Sequence, residues 1–203
     1  MPGHARDSEA LAPSKQQLQQ RLDLLTEEGI TGTAYIFTYT PAALLPTAQF
    51  VQNLAAMIVG DPVAPGDLDR KLQQRFRLLG AEGLTGMALA AIDMAAWDAL
   101  ARSRTMPLAE LLGGTCRPTP SYYSAGMLDE REAERLIGKA LGMGFRAFKV
   151  KIGHPSIETD RSVIRAIRAI TDDDFTLMVD FNQSLTAPEA EVRIRTLEPE
   201  GLA

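Results

Sequence analysis

From Ser121 onward, short alternating segments and amphipathic segments follow one another in strict turn, and this order restricts the fold more than any other feature of the chain. SYYSAG, FRAFKVKIG and FTLMVDFN carry the period-two pattern of strands. DEREAERLIGKALGMG, SIETDRSVIRAIRAI and APEAEVRIRTLE carry apolar residues at helical spacing. Three strand–helix units in succession imply a parallel sheet joined by right-handed crossovers. At about 25–30 residues per unit, the pace suits a β/α barrel or a doubly wound sheet. None of the helices opens on GxGxxG or a Walker sequence, which disfavours a nucleotide-binding sheet.

The middle strand raises a chemical question. Residues two apart on a strand share a face, so Phe148, Val150 and Ile152 form an apolar stripe suited to covering helices. Phe145, Ala147, Lys149 and Lys151 form the other face, with both charges at its C-terminal end. Two ammonium groups ~6–7 Å apart repel by roughly 2–3 kcal/mol at an effective dielectric near 20. That is about two pKa units, and desolvation pushes the same way. A lysine so placed can serve as a general base near neutral pH. Standing alone, KxK more often marks two solvated lysines on an exposed strand. One unit later, however, TLMVDFNQS places Thr176, Met178, Asp180 and Asn182 on one face. In a parallel sheet the end of that strand lies beside the lysines. A strand-end aspartate can also cap the following helix, and that alternative stays open here.

The first half reads differently. Helices are expected over PAALLPTAQFVQNLAAMIVG, over DLDRKLQQRFRLLG with Asp67 as its N-cap, over LTGMALAAIDMAAWDALARS, and over PLAELLGG after Pro107. The third is so rich in Ala and Met that burial on most sides is expected, with Trp97 and the methionines in the core. KQQLQQRLDLLTEEG favours helix by propensity, but Leu22, Leu24 and Thr26 alternate, Glu28-Gly29 can turn, and ITGTAYIF alternates again. The residues alone leave helix and hairpin both open at this point.

KVKIG followed by MVDFNQS, and preceded by YTPAAL, AAMIV and AAIDMAAWDALARSRTMPLAELLGG, resembles the mandelate racemase branch of the enolase superfamily (the mandelate racemase/muconate lactonizing enzyme family) from about Arg21 to Gly201. The resemblance implies an α+β capping domain followed by the first three βα units of a modified TIM (β/α) barrel, and a hairpin at RLDLLTEEGITGTAYIF. The divisions it suggests are a polar, disordered tail over 1–20, a capping domain over 21–117 and a partial barrel over 118–203. It implies that Lys151 removes the proton α to a carboxylate and that Lys149 depresses its pKa. Asp180 would be the first of three carboxylate ligands to Mg²⁺, Asn182 a group near the substrate's α-oxygen, Ser124 a contact to the carboxylate, and Tyr39 a capping-domain residue at the pocket mouth. The reaction implied is racemisation of a 2-hydroxy acid. Sugar-acid dehydration and muconate-type cycloisomerisation use the same lysine pair and Asp. The full-length family implies homo-oligomers.

The chain departs from this pattern at both ends. The family's first strand and mobile loop have no counterpart, and its remaining metal carboxylates and opposite-face histidine are expected beyond Ala203. A truncated, inactive piece is therefore a second reading, with an open sheet edge prone to pairing. Net charge of -5 and the absence of a basic run argue against nucleic acid as a partner. No apolar run approaches the length of a membrane span, and a single cysteine excludes an internal disulfide, so a cytoplasmic setting is expected. Cys116 reads as a small buried residue, His154 as a loop residue, His4 as part of the tail, and Asp172-Asp173-Asp174 as a solvated turn away from the lysines.

Overall fold

A computed structural model describes residues 19–203. His4 and most of the polar 1–20 tail lie outside the described residues; Gln19 and Gln20 already belong to the first strand. The chain divides between Arg117 and Pro118 into two compact units.

In the first unit, β1 (Gln19–Leu25) and β2 (Thr31–Phe37) form the expected antiparallel hairpin, with Leu22 opposite Ala34 and Leu24 opposite Gly32. Gly29, at φ 78°, makes the turn, and alternation then buries Gly32, Ala34 and Ile36. Helical propensity in QQRLDLL yields because alternation lets one face of the hairpin cover a helix. That helix is α3 (Gly83–Ser103), flanked by α1 (Pro41–Ala55) and α2 (Pro65–Gln73). Ile36, Leu54, Leu72, Phe76, Leu89 and Ile92 form the core. The short α4 (Leu108–Leu111) follows Pro107, as expected.

Three expectations need correction here. Asp67 is not the N-cap of α2: Ala64 holds that position, Pro65 opens the helix, and Asp67 sits in its first turn. Proline at the first helical position needs no amide partner, so the helix starts earlier. In α3 the buried face is made by alanines, whereas Met94 is 46% exposed and Trp97 only half-buried. Small side chains allow the close approach to β2 that a methionine face would prevent. Cys116 is exposed, lying in the loop that leads out of this unit. By length and hydropathy α3 also passes as long and apolar enough to span a membrane. Yet Ala88, Ala91, Ile92, Ala95, Ala96 and Ala99 are buried within the unit, as in the core helix of a folded domain.

The second unit consists of the three βα units expected: β3 (Tyr123–Met127), α5 (Glu130–Gly142), β4 (Ala147–Lys151), α6 (Ile157–Arg168), β5 (Thr176–Asp180) and α7 (Ala187–Leu197). The sheet is parallel in the order β3-β4-β5. Strand β3 begins at Tyr123, two residues later than SYYSAG suggests, leaving Ser121 and Tyr122 outside it. Phe148, Val150, Ile152 and Leu177 face the helices and pack on Ile137, Ile164 and Ile167. After the 3-10 turn Glu198–Glu200, the Ala203 amide donates to the Leu177 carbonyl at 2.9 Å, so the backbone comes alongside β5.

Each helix start has a chemical cause. Asp129 accepts from the Glu132 amide at 2.8 Å, Ser156 from the Glu158 amide, and Thr186 with Glu189 forms a capping box. Replacing the Asp129 cap with alanine is expected to destabilise the second unit by about 1 kcal/mol. Urea unfolding checks this, and an unchanged midpoint would mean that solvent caps α5 equally well.

Candidate active site

The lysine pair, Asp180 and Ser124 lie on neighbouring strands, with Lys151 and Asp180 at the C-terminal ends of theirs and Ser124 near the start of β3. Lys151 is the last residue of β4 and lies in register with Asp180, the last residue of β5. Lys149 is in register with Met178 on one side and with Ser124 on the other. The β3–β4 register slips between Ser124 and Met127, so Met127 stands opposite Lys151. Alternation places these side chains away from the helices: the apolar stripe on the other face of β4 is fully buried, while both lysines are half-buried.

A carboxylate joins the expected lysine pair. Lys149 Nζ lies 2.8 Å from Asp180 Oδ2, so its charge is paired with a carboxylate. The bond to Asp180 raises the Lys149 pKa, against a smaller opposing effect of burial. The same bond, aided by the Asn182 amide and by the charge of Lys151, holds the Asp180 carboxyl below the usual carboxylate range. The Asp180 carboxylate thus feels the charge of both lysines.

Asn182 does not continue the strand face of Asp180. Strand β5 ends at Asp180, and Asn182 and Gln183 take left-handed backbone conformations with φ 50° and 61°. The Asn182 amide folds back to donate to Asp180 Oδ1 at 2.8 Å, leaving its side chain exposed. Asn tolerates this conformation better than most residues, which accounts for its place in the turn. Asp180 does not cap α7, since Thr186 does. Tyr39 belongs to the first unit; it is exposed, has φ 60°, and sets its ring edge-on to Phe37 at 4.7 Å.

Both Asp180 oxygens are thus engaged, one by an ammonium and one by an amide. A carboxylate suits a hard cation, but one carboxylate alone does not hold Mg²⁺. Among the described residues no three His, Cys, Asp or Glu side chains gather as a metal site. The donor set present supplies at most one corner of such a site.

Asp160 was not among the residues singled out in the sequence. It is completely buried, and its carboxylate binds the loop directly after Lys151 together with Arg193. The signal was present: Asp160, Val163, Ile164 and Ile167 share one helical stripe, and a carboxylate in that stripe is out of place unless it has partners. His154 is a loop residue, as expected, with its ring bonded to Asp160. The acidic turn pairs through Asp172 with Arg146, ahead of β5 and away from its C-terminal end.

Residues 10–113 match the N-terminal domain of mandelate racemase and muconate lactonizing enzyme, and residues 131–203 match the enolase C-terminal domain-like family. The chain belongs to the mandelate racemase/muconate lactonizing enzyme family. Family likeness begins at residue 10, ahead of Arg21, where the motifs alone placed its start. In fold the chain is the family's capping domain with the start of its barrel. It is similar to an enolase from Bradyrhizobium crystallised with magnesium and mandelic acid, at 44% identity and a TM-score of 0.83, over 89% of this chain and 50% of that one. A racemase from Streptomyces coelicolor with bound magnesium is 28% identical with a TM-score of 0.82, over 91% of this chain and 56% of that one. Arabinonate dehydratase of Saccharolobus solfataricus is 33% identical over 65% of this chain and 36% of its own length. D-galactarolactone cycloisomerase of Agrobacterium fabrum is 33% identical over 71% of this chain and 40% of its own length. The chain therefore spans about half or less of these four family members. Family members at this level of similarity are enzymes whose names include racemase, dehydratase and cycloisomerase.

Proposed function

We propose that the second unit carries the lysine-base side of an active site that removes the proton α to the carboxylate of a 2-hydroxy acid, as part of a racemase. The observation that carries this reading is the in-register placement of Lys151 beside Asp180, with Lys149 held against the same carboxylate. Lys151 is the proton acceptor; Lys149 is the fixed positive charge next to it. Ser124, on the neighbouring strand, binds the substrate carboxylate, and Asn182 contributes a polar contact at the α-oxygen. A proton α to a carboxylate is too weakly acidic for an amine unless positive charge faces the charge that develops. Magnesium bound at Asp180, with ligands from outside the described residues, would supply that charge. The likeness to the enolase that binds mandelic acid favours a hydroxy acid as substrate.

A second reading, sugar-acid dehydration, draws on the arabinonate dehydratase likeness. Both begin with the same proton abstraction and part only at the leaving group. Incubation with mandelate, or with a sugar acid such as arabinonate, in D₂O containing Mg²⁺ separates them. Racemisation exchanges the α-proton of mandelate, whereas dehydration yields a 2-keto acid from the sugar acid. Lys151→Ala is expected to lower either signal by about 10²–10⁴-fold, the usual contribution of a positioned acid–base group. No exchange and no keto acid from concentrated protein would favour the non-catalytic reading. Turnover unaffected by Lys151→Ala would remove Lys151 from the mechanism.

A further inference from the structure

The buried Asp160 draws its donors from the loop after β4 and from Arg193 of α7. Its Oδ1 accepts from the Gly153 amide at 2.9 Å, the His154 amide at 3.0 Å and the His154 ring at Nδ1, 2.7 Å away. Its Oδ2 accepts from Arg193 Nη1 at 2.6 Å. The same guanidinium group donates to the His154 carbonyl at 2.7 Å and reaches the Pro155 carbonyl at 3.3 Å. One carboxylate and one guanidinium therefore bind the backbone of the three residues that follow Ile152, from α6 on one side and α7 on the other.

This loop begins two residues after Lys151. Ile152 is buried, and its amide donates to the Asp180 carbonyl at 3.1 Å. Gly153 takes φ 113°, and a Cβ built there would lie 2.6 Å from Ser184 Oγ, so the backbone is hemmed in from the β5 side as well. A buried carboxylate is costly unless its bonds are all made, and here each bond goes to the loop or to the arginine that holds the loop.

We infer that Asp160, His154 and Arg193 form a positioning unit that sets the direction in which the end of β4 presents Lys151 to the carboxylate of Asp180. The inference rests on the reading of Lys151 as the proton acceptor, and its test does not use turnover. Asp160→Asn keeps the shape and one acceptor oxygen but removes the charge that gathers the donors. Lysine side chains dimethylated with ¹³C report their surroundings by NMR. In Asp160→Asn the Lys151 methyl signal is expected to shift and split, and amide exchange at Gly153 and His154 to accelerate by about tenfold or more, while Ile164 and Leu177 keep their protection. Ile137→Val, a small core deletion remote from the loop, is expected to leave the Lys151 signal in place.

A Lys151 signal unchanged in Asp160→Asn, or moved equally by Ile137→Val, would overturn the inference and leave Asp160 with a purely structural role. Should Asp160→Asn fail to fold, Arg193→Met removes the other half of the unit and is read by the same signals with the same two outcomes. If Lys151→Ala leaves turnover intact, the functional reading fails. The Lys151 signal still decides whether the unit directs that side chain.

Discussion

Asp160→Ala is expected to destabilise the second unit by about 3–5 kcal/mol at neutral pH, as for removal of one partner from a buried ion pair. The substitution leaves the half-buried Arg193 facing an empty space and strips the Gly153 and His154 amides of their acceptor. Arg193 still donates to the His154 and Pro155 carbonyls, which offsets part of the loss, so the outcome measures the carboxylate itself. The effect should depend on pH. Burial pushes the Asp160 carboxyl up, but bonds from the His154 and Gly153 amides, the His154 ring and Arg193 outweigh it and bring the pKa below the usual range. With a folded pKa below the unfolded value of about 3.9, this stabilisation is complete above that pH and is lost as pH falls through the folded pKa. Urea midpoints of the wild type and Asp160→Ala should be far apart at pH 7 and approach each other at the acid end. A separation that persists unchanged down to the lowest accessible pH would show that the lost contacts, and not the charge, cause the effect.

Gly32→Ala is expected to open the first unit between β2 and α3. A Cβ at residue 32 would lie 2.0 Å from the Ala95 carbonyl oxygen, 2.6 Å from the Ala99 amide nitrogen and 2.8 Å from the Ala99 Cβ. Two of these atoms are helix backbone, which has no rotamer into which to retreat, so α3 must move away from the sheet. The alanine face of α3 and the Asp98 carboxylate that receives the Thr33 amide at 2.8 Å both depend on that close approach. Overpacking of this kind costs about 1–3 kcal/mol or more, and the upper end applies because the whole helix is displaced. In a unit of this size that corresponds to a melting temperature lower by on the order of 10 °C. Gly66→Ala is the control: nothing lies within 4 Å of a Cβ there, and the residue is in the first turn of α2. A melting temperature for Gly32→Ala equal to that of Gly66→Ala would show that α3 and β2 have room to spare.

Much of this was legible in residue order. Alternation in FRAFKVKIG correctly divided Phe148, Val150 and Ile152 from Lys149 and Lys151, because side-chain direction on a strand follows from the local backbone. Glu28-Gly29 and the flanking alternation left helix and hairpin both open, and the family resemblance of the segment decided for the hairpin that forms. Reasoning from residue order failed at Asn182, since alternation holds only while the strand lasts, and β5 stops at Asp180. It also misjudged Cys116 and Met94, whose exposure depends on what packs over them and not on their hydrophobicity.

The sequence by itself determined the strands and helices, the three βα units and the presence of paired lysines one unit ahead of an aspartate. These follow from periodicity and capping, which act over a few residues. Tertiary structure alone decided that Asp180 neutralises Lys149, that Asp160 ties down the loop after Lys151, and that Gly32 lies against the backbone of α3. Each of these joins residues well separated along the chain. Such contacts depend on the register of neighbouring strands and the distance between packed elements, to which all the intervening side chains contribute together.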